Sequence, residues 1–237
     1  MSGGATRQRF VVAVTGLAVE ARIAAGPHVL SVASGGDPVR LRSLLEGAMV
    51  DGAVGIISFG LSGGLSEHAR PGRVILAQTV LGESRRWVTH GAWTGALHRR
   101  LGDASVGDIA GSDTIVATPA GKRALHQSTR ALVVDNESHV AADIAARRGL
   151  PFAALRIVAD PATRALPPAT LRALRPDGGV DRASVMRSLA RSPGQLPGLI
   201  RVAVDASVAL RALSRSRRRL GPGLGYPDLG ELVLDMA

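Results

Sequence analysis

The sequence contains no cysteine, which excludes a disulfide framework and any metal site built on thiolates. It has no run of about 18 consecutive apolar residues, so we expect no membrane-spanning helix. The segment Met1–Phe10 is short and polar, and the apolar run Val11–Val14 is too brief for a signal-peptide core. We expect a cytoplasmic protein.

Aromatic residues make up only 3% of the chain, and lysine occurs once, at Lys122, among 29 basic residues. The net charge of +10 nevertheless favours an anionic partner such as nucleic acid, acidic phospholipid or a phosphorylated substrate. Single-stranded nucleic acid is bound largely by aromatic stacking, and no helix-turn-helix, RNP or zinc-finger motif is present. We therefore predict that the protein does not bind nucleic acid.

Strand-like and helical segments alternate along the chain. Strands are predicted at Phe10–Thr15, His28–Ala33, Gly55–Phe59, Arg73–Leu81, Ala131–Val134 and Pro151–Val158. The stretch Glu83–Gly111 gives no clear prediction, and Leu171–Leu220 is predicted to be mainly helical. Continuous apolar strands separated by helices predict an α/β fold, with a mixed, mostly parallel sheet between helices. A chain of 237 residues can form this as a single domain over 1–237.

Acidic residues follow three of the predicted strands. Glu20, Glu137 and Asp160 each come shortly after a strand, and ligands in parallel sheets bind at the carboxyl ends of strands. Cleavage of an N-glycosidic bond needs an acid for the leaving base, a carboxylate near the cationic sugar and a group that activates the nucleophile. The three acids could fill these roles, or they could be ordinary solvated carboxylates at helix ends.

A glycine-rich segment, Gly60–Gly64 (GLSGG), follows the strand Gly55–Phe59. Its glycines would let backbone amides approach a ligand closely. The segment matches neither the P-loop nor the dinucleotide-binding pattern, so the pattern alone favours an unliganded tight turn.

Four motifs resemble those of the nucleoside phosphorylase/nucleosidase superfamily, in the same order along the chain. They are Thr15–Arg22 (TGLAVEAR), Ser58–Leu65 (SFGLSGGL) followed by Arg70–Ile75, Val134–Ser138 (VDNES) and Phe152–Asp160 (FAALRIVAD). The first and last are similar to the opening and the catalytic-acid strand of methylthioadenosine/S-adenosylhomocysteine nucleosidases. The resemblance implies a three-layer phosphorylase-like fold, no metal or organic cofactor, and a homo-oligomer.

Further segments resemble the hopanoid-associated phosphorylases, also called adenosylhopane nucleosidases. They are Gly16–Ala24, Glu137–His139, Leu155–Ala162 with Leu166–Pro168, and Ser192–Pro197. This resemblance covers nearly the whole chain and implies release of adenine from adenosylhopane in bacterial hopanoid synthesis. The alternatives are a methylthioadenosine/S-adenosylhomocysteine nucleosidase, a phosphate-dependent purine nucleoside phosphorylase, and a nucleoside-binding protein without catalysis.

The resemblance implies a role for each matching residue. Asp160 would protonate N7 of the purine, Glu137 would bind the ribose hydroxyls, and Glu20 would activate the attacking water. The other residues implied to bind substrate are Gly60, Ser62, Gly63, Asn136 and Ala159. Asn136 and Ala159 depart from the family pattern, which has methionine and serine there, and Leu61 replaces a serine.

The nucleophile is water or phosphate, and phosphate would need a cationic clamp. Arg22 and Arg40 are candidates because each follows a predicted site loop, although exposed helix positions explain them as well.

The C-terminal segment predicts a basic amphipathic helix at about residues 199–219. Its apolar stripe could pack on the sheet, and Arg215, Arg217, Arg218 and Arg219 could interact with the helix dipole. The same arginines could contact an anionic membrane, which would suit a substrate with a hopane tail. We expect this last turn to do both, which would place the enzyme peripherally at the inner membrane surface.

Overall fold

The computed structural model describes residues 8–48, 52–171 and 173–229. The remaining residues, 1–7, 49–51, 172 and 230–237, fall within the predicted single domain but lie outside the described part of the chain. The strands are β1 (Phe10–Thr15), β2 (Val29–Ala33), β3 (Ala53–Gly64), β4 (Val74–Leu81), β5 (Arg86–Val88), β6 (Ser105–Gly111), β7 (Val133–Asp135) and β8 (Phe152–Asp160). The helices are α1 (Ala18–Ala24), α2 (Pro38–Ala48), α3 (Gly91–Leu101), α4 (Pro119–Thr129), α5 (Ser138–Arg148), α6 (Pro168–Leu171), α7 (Arg182–Arg191) and α8 (Leu196–Leu220).

All eight strands belong to one mixed sheet. The order β2-β1-β3-β7-β6-β4-β5 describes the main path, and β8 pairs with both β3 and β4. The pairings therefore form a closed circuit through β3, β8, β4, β6 and β7. Strands β1 and β2 extend the sheet beyond β3. Five of the eight pairings are parallel, which confirms the prediction of a mostly parallel mixed sheet.

Helices cover both faces of the sheet. Side chains alternate along β1, so that Val11 and Ala13 pack on one side together with α1, α3 and α8. Val12 and Val14 pack on the other side together with α2 and α5. Because both faces are buried, the strands are apolar at almost every position, as the sequence predicted. The predicted three-layer architecture is confirmed.

Strand β3 is longer than predicted. It runs through the glycine-rich segment to Gly64, so Gly60–Gly64 is strand and not a loop. It pairs with β8 as far as Gly63–Asp160 and with β7 at Gly63 and Gly64. Backbone hydrogen bonds on both sides hold the segment extended in spite of the low strand propensity of glycine.

The stretch Glu83–Gly111 contains β5, α3 and β6, and the C-terminal helix extends three residues before and one beyond the predicted range.

Two of the four arginines near the end of α8 form hydrogen bonds within the protein. Arg217 donates to the Ala24 and Ala25 carbonyls at 2.9 and 3.2 Å, and Arg219 donates to the Leu101 carbonyl at 3.0 Å. Within the described residues, no helix combines the length and apolarity needed to cross a membrane.

Candidate active site

A cleft of about 230 Å³ lies where β3, β7 and β8 meet the loop after β1. The three strands meet at Gly63 of β3, which pairs with Val134 of β7 and with Asp160 of β8. Glu20, Glu137 and Asp160 all line this cleft, although they come from three distant parts of the sequence. A wider depression of about 870 Å³ lies near His139 and Asp113, away from these three acids.

Glu20 is held by backbone amides. It lies in the first turn of α1, is buried, and accepts from the N–H groups of Gly16, Leu17 and Leu61, each at 2.8 Å. Burial raises the pKa of this carboxyl above its ordinary value of 4.5, against the lowering effect of Arg156 and of the three N–H donors. Glu20 is therefore a fixed carboxylate that is more basic than an exposed one.

Arg156 lies at the centre of a buried acidic cluster. It is fully buried on β8, with its Nε 2.5 Å from Asp135 Oδ2 and one terminal nitrogen 3.2 Å from Glu137 Oε2. The guanidinium also donates to the hydroxyl of Ser58 and, at 3.2 Å, to the Leu61 carbonyl. Burial alone would lower the pKa of Arg156, but Asp135, Glu137 and Glu20 raise it, so the guanidinium stays charged.

The pKa of Glu137 is raised well above its ordinary value. Burial, together with the charges of Asp135 and Glu20, raises its pKa from 4.5 to about 7, although Arg156 and Ser34 act in the opposite direction. Its Oε1 lies 3.4 Å from the Ser34 hydroxyl. A Cβ on Gly16 would come within 2.8 Å of the same oxygen, so any larger residue in the loop after β1 would displace this carboxylate.

Asp160 is paired with a buried lysine. It ends β8, is 8% exposed, and its Oδ2 accepts from Nζ of Lys122, which is fully buried on α4. Burial raises the pKa of Asp160 above its ordinary value of 3.8, while Lys122 and Arg164 lower it. This carboxyl therefore differs from the other two in facing an ammonium group.

Four of the five remaining residues predicted to bind substrate line the cleft, and one does not. Ser62, Gly63, Asn136 and Ala159 line the cleft, and the Asn136 amide also donates to the Ser112 carbonyl at 2.8 Å. Gly60 lies behind the wall, where a Cβ would sit 2.8 Å from Glu20 Oε2. Gly60 therefore makes room for the acid and does not line the cleft.

The two arginines suggested as a phosphate clamp are not in the cleft. Arg22 lies on α1 and Arg40 on α2, and both are exposed and absent from the cleft lining. Among the described residues that line the cleft, none is lysine or arginine, whereas Glu20, Asp135, Glu137 and Asp160 are all present. The cleft thus presents carboxylates to a ligand, with Arg156 and Lys122 behind them.

Sequence reasoning missed Arg156, Asp135 and Lys122 as site residues, although a signal existed for two of them. Arg156 interrupts an otherwise apolar buried strand, and an unpaired charge there would be costly. Lys122 is the single lysine in a chain that otherwise uses arginine. Within the described residues, no group of three or more metal-binding side chains is placed to hold an ion.

Solved structures with the same fold are nucleosidases and a hydrolase. The 5′-methylthioadenosine/S-adenosylhomocysteine nucleosidase from Helicobacter pylori is 12% identical, with a TM-score of 0.64 over 90% of this chain and 100% of that one. Futalosine hydrolase of Helicobacter pylori is 12% identical, with a TM-score of 0.63 over 89% and 97%. The S-adenosylhomocysteine nucleosidase from Streptococcus pyogenes is 15% identical, with a TM-score of 0.59 over 85% and 98%.

These similarities define the class of fold, namely that of the nucleosidases and nucleoside phosphorylases. Residues 8–177 match the phosphorylase superfamily, which is most of the chain, so the protein belongs to that superfamily. This confirms the coarser prediction of an enzyme of the nucleosidase or phosphorylase type. None of the curated protein sequences is similar enough to count as a match.

Proposed function

We propose that the protein hydrolyses the N-glycosidic bond of an adenine nucleoside. The observation that carries the proposal is the meeting of Glu20, Glu137 and Asp160 in one buried cleft of a phosphorylase-superfamily fold. Asp160 directs a proton to N7 of the purine, and Glu137 binds the ribose hydroxyls and stabilises the cationic sugar. Glu20 takes the proton of the attacking water, a role that its raised pKa and fixed position favour.

The charges around the cleft favour water over phosphate as the nucleophile. A phosphate dianion among Glu20, Asp135, Glu137 and Asp160 would need an arginine or lysine clamp, and the described lining offers none. Arg156 is already occupied by Asp135 and Glu137. Hydrolysis is therefore the form of the reaction that this site supports best.

The apolar part of the cleft lining favours an apolar 5′ substituent. The apolar residues that line it include Leu61, Ile115, Leu166, Leu174 and Val202. Since the ribose side of the cleft is acidic, this apolar part suits a hydrophobic group attached to the sugar. We therefore keep adenosylhopane as the proposed substrate, in agreement with the resemblance noted above. The fold likeness to methylthioadenosine/S-adenosylhomocysteine nucleosidases favours a small 5′-thio substituent as the alternative.

Helix α8 connects the cleft to an exposed face of the protein. Val202 and Ala206 line the cleft, whereas Leu196, Ile200, Val204 and Val208 lie on the outer side and are 36–55% exposed. Residues 182–220 contain nine arginines and one aspartate. An exposed apolar stripe with this charge suits the surface of an anionic bilayer. We propose that this stripe, and not only the last turn of α8, holds a cytoplasmic enzyme against the inner membrane surface.

One assay tests substrate and surface together. Adenine release is measured from adenosine with a long apolar 5′ chain embedded in anionic vesicles, and from soluble methylthioadenosine. We expect a higher kcat/KM for the embedded substrate, and about a tenfold loss on it in the Ile200→Asp/Val204→Asp variant with no loss on methylthioadenosine. Val39→Asp changes an even more exposed apolar residue on α2 and is the control, with no loss expected on either substrate. Preference for methylthioadenosine, with no effect of the double variant, would support the alternative.

A further inference from the structure

The single lysine of the chain lies beside the proposed catalytic acid. Lys122 is fully buried, and its Nζ donates to Asp160 Oδ2, to the Pro161 carbonyl at 2.9 Å and to the Arg164 carbonyl at 3.2 Å. An ammonium group has three N–H donors, and these three acceptors satisfy all of them. The geometry therefore fits a charged Lys122 and an ionised Asp160.

An ionised Asp160 has no proton to give to the purine. The other cation near it is Arg164, whose guanidinium is paired with Asp205 of α8 and which cannot release a proton at accessible pH. Glu20 and Glu137 line the same cleft but are held by backbone amides and by Arg156 respectively. Of the described groups around Asp160, Lys122 is the one that touches it directly and carries a transferable proton.

We propose, on the basis of the proposed function, that Lys122 is the proton reservoir for the leaving purine and that Asp160 is the conduit. As the C1′–N9 bond breaks, its electron pair stays on the purine and N7 becomes basic. A proton then passes from Nζ to the Asp160 carboxylate and from that carboxyl to N7. Lys122 is left as a neutral amine, Glu20 holds the proton lost by water, and exchange with solvent returns both groups to their starting states.

Burial makes this transfer energetically accessible. Moving the proton from Lys122 to Asp160 converts a buried ion pair into a neutral pair. This removes the desolvation penalty that the two buried charges carry. The raised pKa of Asp160, which results from burial, acts in the same direction. Lys122 is not among the described residues that line the cleft, so it is a positioning and proton-storing residue and not a catalytic residue.

Two substitutions separate proton storage from structural support. Lys122→Arg keeps the charge and the N–H donors but holds its proton at all accessible pH values, so kcat should fall about 10²-fold or more at every pH. Lys122→Met removes the cation, leaves Asp160 neutral at low pH, and should recover much of its kcat near pH 5.5 while losing it near pH 8. At acid pH the Met variant should therefore exceed the Arg variant.

The opposite order would overturn the proposal. If Lys122 only supports the loop after β8, the Arg variant should match or exceed the Met variant at every pH, and both should lose thermal stability in parallel. No adenine release by the wild-type enzyme at any pH would overturn the proposed function itself.

Discussion

At the scale of single residues, the site is built from charges that are buried in pairs. Arg156 pairs with Asp135 and Glu137, and Lys122 pairs with Asp160, so three of the four acids that line the cleft have a counter-ion within the protein. Glu20 depends instead on three backbone amides. Motif positions could predict the three acids, but their partners could not be predicted, because Lys122 and Arg156 meet the acids only through tertiary contacts.

The raised pKa of Glu137 predicts a pH-dependent stability. Between its ordinary value of 4.5 and about 7, the folded protein binds more protons than the unfolded chain. The contribution of Glu137 to the free energy of unfolding should therefore fall by about 3 kcal/mol as pH rises through this window. Glu137→Gln lacks this loss, so its stability relative to wild type should improve from pH 4.5 to 7.

Urea unfolding at several pH values between 4.5 and 7.5 measures this difference. Glu67→Gln removes a carboxyl from an exposed position and is the matched control, which should follow the wild-type pH dependence. A gap between wild type and Glu137→Gln that stays constant across the window would show that Glu137 is not perturbed by its surroundings.

At the scale of elements, strand β3 determines the shape of the cleft. The sequence predicted the apolar middle of this strand, Gly55–Phe59, and the neighbouring strands, because their apolar runs are continuous, although β3 begins two residues earlier, at Ala53. Its extension through Gly60–Gly64 could not be predicted, since pairing with β7 and β8 outweighs the low strand propensity of glycine. The glycines have a packing role in addition, because Glu20 occupies the space beside Gly60.

Gly60→Ala should therefore damage catalysis. The new Cβ would lie 2.8 Å from Glu20 Oε2 and 2.9 Å from a terminal nitrogen of Arg156, so both groups must move. We expect a loss of kcat of about 10²-fold, with a stability loss of about 1–3 kcal/mol. Gly47→Ala on α2 meets no atom within 4 Å and should leave kcat unchanged while slightly stabilising the helix. Equal kcat values for the two variants would argue against a functional role for the position of Glu20.

At the scale of the whole molecule, net charge describes the surface and not the site. The chain carries +10, yet the described cleft lining has four acids and no cation, so the attraction to anions inferred from composition does not extend to the cleft. The closed circuit of β3, β8, β4, β6 and β7 also lay beyond prediction, because β8 pairs with two strands far from it in sequence. The homo-oligomer stays a prediction, as does the single domain over 1–237.

The central claim is that water cleaves the bond between adenine and ribose, and product analysis tests it most directly. Purified protein is incubated with adenosine nucleosides in phosphate buffer, and the products are identified by chromatography and ³¹P NMR. We expect adenine and a free reducing sugar in equal amounts, unchanged when phosphate is omitted, and a rate about 10²-fold or more lower in Asp160→Asn. A sugar 1-phosphate that forms only with phosphate would contradict hydrolysis, and the absence of adenine would contradict the claim as a whole.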